Sequence, residues 1–256
     1  MKENQNNIVV FLLVLLLLIV IGMSVFIIVD KLPKQNTNNV QKENNGSNTG
    51  DVQNGNNVPS QKTILYKDST MNLVYDIEKT AYNEAQNFSI KVKLPYVNID
   101  STYAEEINKA IINIELETYN TVSYSSYLND NILSIVIRMA NRLAAIEEVY
   151  YLVYNIDIYT GERVSNAEIL NYLNTTEEKV LKQLPEKYKN AFVSIWKDHL
   201  NEVYEDYTKS DVYKETVSQN TYSAMFIGKN KSLKVIGRIY ALIGHGCYYE
   251  VMDIDL

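Results

Sequence analysis

Cysteine is nearly missing. Cys247 is the only one in the 256-residue chain, which excludes an intrachain disulfide. The lone thiol reads first as a small apolar side chain. Histidine is limited to His199 and His245. That is too few for a His-rich metal centre, and neither metal nor cofactor is expected. A surplus of positive charge is absent: 24 Lys and Arg stand against 31 Asp and Glu, a formal net charge of −7. A general nucleic-acid binder needs clustered cations against the phosphates, so nucleic acid is set aside as a partner. The phosphate-loop, serine-hydrolase and zinc-protease signatures are also missing. No catalytic residue is assigned, and an enzyme is not expected. Tryptophan occurs once, tyrosine 21 times. AT-rich coding explains the tyrosines most simply. They also suit half-buried strands and offer flat contact area to a glycan or protein partner.

Charge is absent from residues 8–29, IVVFLLVLLLLIVIGMSVFIIV. As a helix rising about 1.5 Å per residue, this run spans a hydrocarbon core of about 30 Å. A cleaved signal peptide would have a shorter apolar region and a small-residue cleavage site. The run is expected to be an uncleaved transmembrane signal anchor, with residues 1–7 as a cytoplasmic tail. Lysines flank it weakly on both sides, and a long domain following a first span translocates largely regardless of charge. The expected location is the cell membrane, single-pass, with the C-terminal bulk extracytoplasmic. Residues 30–61 are dominated by Asn, Gln, Gly, Ser and Lys. They bury too little to offset ordering entropy. They read as a disordered Asn-rich linker with a reach of roughly 30 Å.

Residues 64–66 and 73–82 look like strands. In residues 88–94, FSIKVKL, Phe88, Ile90, Val92 and Leu94 alternate with polar residues, the period of a half-buried strand. Pro95 is expected to end it. Thr102 and Glu105 have capping-box spacing, and Tyr103, Ile107, Ala110, Ile111 and Ile114 recur at helical spacing, so residues 103–119 read as a helix. Strands are expected at 121–128, 132–141 and 149–159. Ser165 with Glu168, and Thr175 with Glu178, repeat the capping-box spacing. Pro185 is expected to break or open a helix over 186–207. Three strands close the chain, at 222–227, 233–241 and 248–254. The class is α+β, with antiparallel sheets packed on helices. Two sequential α/β halves, 62–145 and 146–256, follow one transmembrane helix.

The segment YNIDIYTGERVSNAEIL, residues 154–170, is the most distinctive. Tyr154, Ile156 and Ile158 share one face of a strand. Gly161 allows a positive φ for the turn, and Ser165 opens the helix that follows.

This order of elements resembles the extracytoplasmic domain shared by RsiV-type anti-sigma factors and PdaC-type peptidoglycan deacetylases. Residues 92–96 followed by Glu106-Ile107-Asn108-Lys109-Ala110-Ile111 match the family's strand and its helix with an Ile-Asn motif. Asn155-Ile156-Asp157-Ile158-Tyr159-Thr160-Gly161-Glu162 matches its Asn-x-Asp-x-x-Thr-Gly turn. Residues 232–256, with Gly246, correspond to its final strands, and Ser134-Ile135 to the strand before the central motif. The likeness covers residues 73–256 and makes 146–256 the RsiV-like half. The family's Gly-Gly-Ala-His element is replaced by Arg142-Leu143-Ala144-Ala145-Ile146-Glu147. The residues before the span are too few to wrap a sigma factor, and no deacetylase domain is attached. The resemblance implies an extracellular recognition domain on a membrane stalk.

Other constellations read more simply as structure. His245 and Cys247 are two apart, so in an extended segment they point to opposite faces, which disfavours a catalytic dyad. His199 lies on the apolar side of a predicted helix. Asp253 and Asp255 read as a solvated strand face, and Asp157 with Glu162 as a turn. The candidate partner-binding residues are Tyr159, Thr160, Gly161, His245 and Tyr248. The expected function is a membrane-anchored binding or sensing domain whose ligand is a cell-wall component or a lysozyme-like protein. Proteolytically regulated, anti-sigma-like signalling is the alternative, and a cell-wall hydrolase the remotest. The Thr160-Gly161 corner and the C-terminal strands are expected to share a core.

Overall fold

The alternation at residues 88–94 is realised as a strand with Ile90, Val92 and Leu94 buried and Lys91 and Lys93 exposed. It belongs to a computed structural model that describes residues 62–83, 87–119, 121–141, 148–197, 206–241 and 247–256. All of these fall in the unit Pro59–Leu256. The apolar run 8–29 and the linker 30–61 lie outside the described residues. No helix among the described residues is long and apolar enough to cross a membrane.

The fold is α+β with antiparallel sheets. The element order is β1 (Val74–Asn83), β2 (Phe88–Val97), α1 (Thr102–Ile112), β3 (Thr121–Asn129), β4 (Ile132–Asn141), β5 (Glu148–Asp157), α2 (Asn166–Tyr172), α3 (Glu177–Trp196), α4 (Asp211–Val217), β6 (Ala224–Ile227), β7 (Leu233–Tyr240) and β8 (Cys247–Ile254). The sheets are β1-β2, β3-β4-β5 and β6-β7-β8. β4 and β5 pair along their whole length, so the stretches on either side of the 145/146 boundary share a sheet.

β4 is buried on both faces. Leu133, Ile135, Ile137 and Met139 enter a core with β1, β2 and α1. Val136 points the other way, against Phe226 of β6 and Ile236 of β7. On the far side of the third sheet, Leu233, Val235 and Ile239 pack under Val180, Leu184, Tyr188 and Phe192 of α3. The strand period of two and the helix spacing of four thus stack hairpin, sheet, sheet and helices.

Several boundaries differ from the sequence reading, each for a physical reason. Residues 64–66 form an extended strap, with one bridge from Tyr66 to Ile99. Pro95 lies inside β2, opposite Asp76. Asn98 N–H donates to Leu73 O at 2.9 Å, which makes Asn98, Tyr96 and Leu94 the positions bonded to β1. The Pro95 nitrogen therefore faces the outer edge, where its missing N–H costs no ladder bond. On that same edge Val97 N–H donates to Asn108 Oδ1 at 2.7 Å and Asn108 Nδ2 donates back to Val97 O at 2.9 Å. The buried amide of α1 thus stands in for a neighbouring strand.

Ser101 caps α1, accepting from Ala104 N, and the helix ends at Ile112. Thr176, one residue later than expected, caps α3. The box at Ser165 and Glu168 forms as read. Pro185 interrupts nothing, since α3 runs through it. Burial of Val180, Leu184 and Phe192, about 1.5–3 kcal/mol each, outweighs the roughly 3 kcal/mol of an interior proline. Helix α4 has no counterpart in the sequence reading.

One carboxyl has a pH signature. Glu250 lies opposite Gly237 on β8 and is half-buried. Burial raises its pKa, while the Arg138 charge pulls it back. A carboxyl raised by folding favours the folded state at low pH, and that contribution is lost as pH rises through the folded pKa. Glu250→Gln is therefore expected to be more stable than wild type near pH 7. The gap should close towards about pH 4, where carboxyls protonate in either state. Urea midpoints at both pH values test this, and a less stable variant at neutral pH refutes it.

Candidate functional site

The turn after β5 is built from bonds that its own residues make. Asp157 Oδ1 accepts from the N–H groups of Tyr159 and Thr160 at 2.8 and 3.0 Å, an Asx turn. Its other oxygen accepts from Asn131 Nδ2. Gly161 N–H donates to Asp157 O at 2.8 Å, and Asp157 N–H donates to Glu162 O at 2.9 Å. Gly161 has φ +70, and a Cβ there would lie 2.3 Å from Ser101 Cβ. Both the conformation and the contact require glycine. The Asp157 carboxylate is spent on the turn, as the structural reading of Asp157 and Glu162 anticipates.

Two open clefts flank this corner. One, of about 340 Å³, is lined by Asn131, Asp157, Glu168, Asn171 and Tyr172. The other, of about 630 Å³, is lined by Asp100, Ser101, Thr102, Tyr103 and Glu106. Thr160, Glu162 and Arg163 line both and form the ridge between them. Together the two linings contain five acidic residues (Asp100, Glu106, Asp157, Glu162 and Glu168) and one arginine, Arg163. Hydrogen bonds from the Ser165 hydroxyl and amide hold Glu168 below its ordinary pKa. Burial raises the Tyr103 phenol, while Arg163 counters it. Rims of this kind hydrogen-bond hydroxyl, amide or cationic groups and repel anions.

The candidate residues separate in space. Thr160 is exposed, Tyr159 half-buried and Gly161 buried, all at the corner. Tyr248 is 9% exposed and packs edge-on against Trp196 at 5.4 Å between ring centres. It is a core residue rather than a contact surface. His245, like His199, lies outside the described residues. The corner itself is a seam. Ile158 and Tyr159 pack in the core under α1, whereas Val164 packs with the C-terminal strands. Asp255 pairs with Lys187 at 2.8 Å, and Asp253 pairs with Lys234. Among the described residues no three His, Cys, Asp or Glu side chains gather as metal ligands.

Sequence reasoning missed Tyr103, Glu106 and Arg163, which join the corner only through the fold. It marked residues 64–66 as extended but missed how that strap is fastened. Asn98 Nδ2 donates to Asp68 O at 2.7 Å, Met71 O at 3.3 Å and Asn72 O at 3.2 Å, and Asn98 Oδ1 accepts from Asp68 N–H at 2.9 Å. A polar residue following the apolar Val97 was the one available signal. No protein-family model, curated protein or solved structure matches the chain.

Proposed function

We propose that the chain is a recognition module of the cell envelope, anchored by residues 8–29 and held off the membrane by residues 30–61. Its body, with two successive α/β halves, presents the Thr160–Arg163 ridge to a cell-wall component or a lysozyme-like protein outside the cell. The carrying observation is that ridge: exposed Thr160, Glu162 and Arg163 stand between two open clefts with carboxylate and tyrosine walls. Carboxylates beside a tyrosine ring suit the hydroxyl and amide groups of wall glycan, or the basic surface of a muramidase. The charge-free run and the likeness to the RsiV-type and PdaC-type domain support placing this surface outside the cell. We read the site as a binding surface rather than a catalytic centre, because its one half-buried carboxylate, Asp157, is committed to the turn.

Residues 62–256, which contain all three cores, are titrated with soluble peptidoglycan fragments and with a muramidase. One of the two is expected to bind, and Glu162→Ala is expected to weaken it about tenfold or more, the loss of a charged hydrogen bond of about 1.5–3 kcal/mol. No binding of either ligand at tens of micromolar refutes the proposal.

A further inference from the structure

The walls of the larger cleft come from different parts of the chain: residues 100–106 after β2, and residues 160–163 after β5. Among the described residues, no backbone hydrogen bond runs directly between them. Leu65 joins them instead. Its N–H donates to Ile158 O at 3.1 Å, and its C=O accepts from Asp100 N–H at 2.8 Å. Ile158 stands two residues before Thr160, and Asp100 stands one before Ser101, the residue under Gly161. The strap is itself fastened on its other side by the Asn98 amide and by Lys67 to Glu105 at 3.0 Å.

We propose that Leu65 is a positioning residue of the corner site: the seated strap sets the separation of the cleft walls, so occupancy of the cleft and seating of the strap reinforce each other. This rests on the reading of the corner as a binding site. The coupling is reciprocal by linkage. The strap is also where the chain leaves the body towards residues 1–61, so the site and the stalk share one element.

Hydrogen exchange on the full chain in detergent micelles tests this without a known ligand. Leu65→Pro removes the donor to Ile158. Asn98→Ala loosens the strap from its other end. Leu65→Ala keeps both backbone bonds. Exchange over residues 100–106 and 157–163 is expected to rise about fivefold or more in the first two variants, the lower end of ordinary coupling between sites. It should stay unchanged in Leu65→Ala and, for all three, over β6 to β8. If Leu65→Pro does not fold, Asn98→Ala decides. A corner that stays protected while the strap exchanges freely overturns the proposal, and so does a rise spread evenly over the body in the deciding variants.

Peptidoglycan fragments and the muramidase then serve as probes on wild type. A bound probe is expected to slow exchange in residues 64–67, which a merely structural strap would not show. A probe that binds and leaves those amides unchanged also overturns the proposal. If neither binds, the recognition reading fails, and the exchange result in the variants still decides the coupling of strap and corner.

Discussion

Gly161→Ala is expected to lower unfolding stability by about 2–5 kcal/mol. The first contribution is conformational: a φ of +70 costs an L-residue with a side chain about 1–2 kcal/mol. The second is steric. The added carbon would lie 2.3 Å from Ser101 Cβ and 2.8 Å from Ser101 Oγ, and overpacking of this kind costs about 1–3 kcal/mol. Ser101 cannot swing aside freely, because its hydroxyl caps α1. The same change should weaken any corner ligand, since both cleft walls shift. Urea unfolding of residues 62–256 measures the loss. A loss under about 1 kcal/mol would mean that the corner relaxes, and the requirement for glycine at this position would be wrong.

Asn155→Ala is expected to cost about 2–4 kcal/mol, for a different reason. Gly228 N–H donates to Ser232 O, so the alternate positions Met225 and Ile227 of β6 face away from β7. Side chains of the neighbouring sheet satisfy them. Asn155 Nδ2 donates to Met225 O at 2.9 Å, Ser134 Oγ donates to Asn155 Oδ1 at 2.7 Å and accepts from Ile227 N–H at 3.3 Å, and Asn129 Nδ2 donates to Ile227 O at 3.5 Å. Alanine strands a buried carbonyl, at about 1–3 kcal/mol, and leaves a small void. Equilibrium unfolding gives the number. If the variant loses less than about 0.5 kcal/mol, β6 is held by its apolar contacts alone.

These two residues show what the sequence made legible. Asn155 and Gly161 belong to its most distinctive segment, and the structure explains both as joints of the fold. Strands announced themselves where one face is buried and one wet, as at Phe88–Val97. The bounds of β4, Ile132–Asn141, were read as they stand although both its faces are buried, because its apolar run is flanked by asparagines. Helix α3 was divided at Pro185 because local propensity opposes what its packing on β7 and β8 enforces. Most of the candidate site was illegible. Tyr103 and Arg163 are sixty residues apart and meet through sheet packing, while Tyr248 looked available until its ring was placed beside Trp196. No local pattern distinguishes a strand tyrosine facing water from one facing a tryptophan.

The double-faced burial of β4 also bears on the order in which the chain is made. When β5 has emerged, Val136, Tyr151 and Val153 already form one side of a finished ladder. The strands that cover them end about a hundred residues later. At about 5–20 residues per second, that greasy side waits on the order of 5–20 s for its lid of newly synthesised strands. A nascent chain of this design depends on a guardian during the interval, or on crowding low enough that no stranger arrives first.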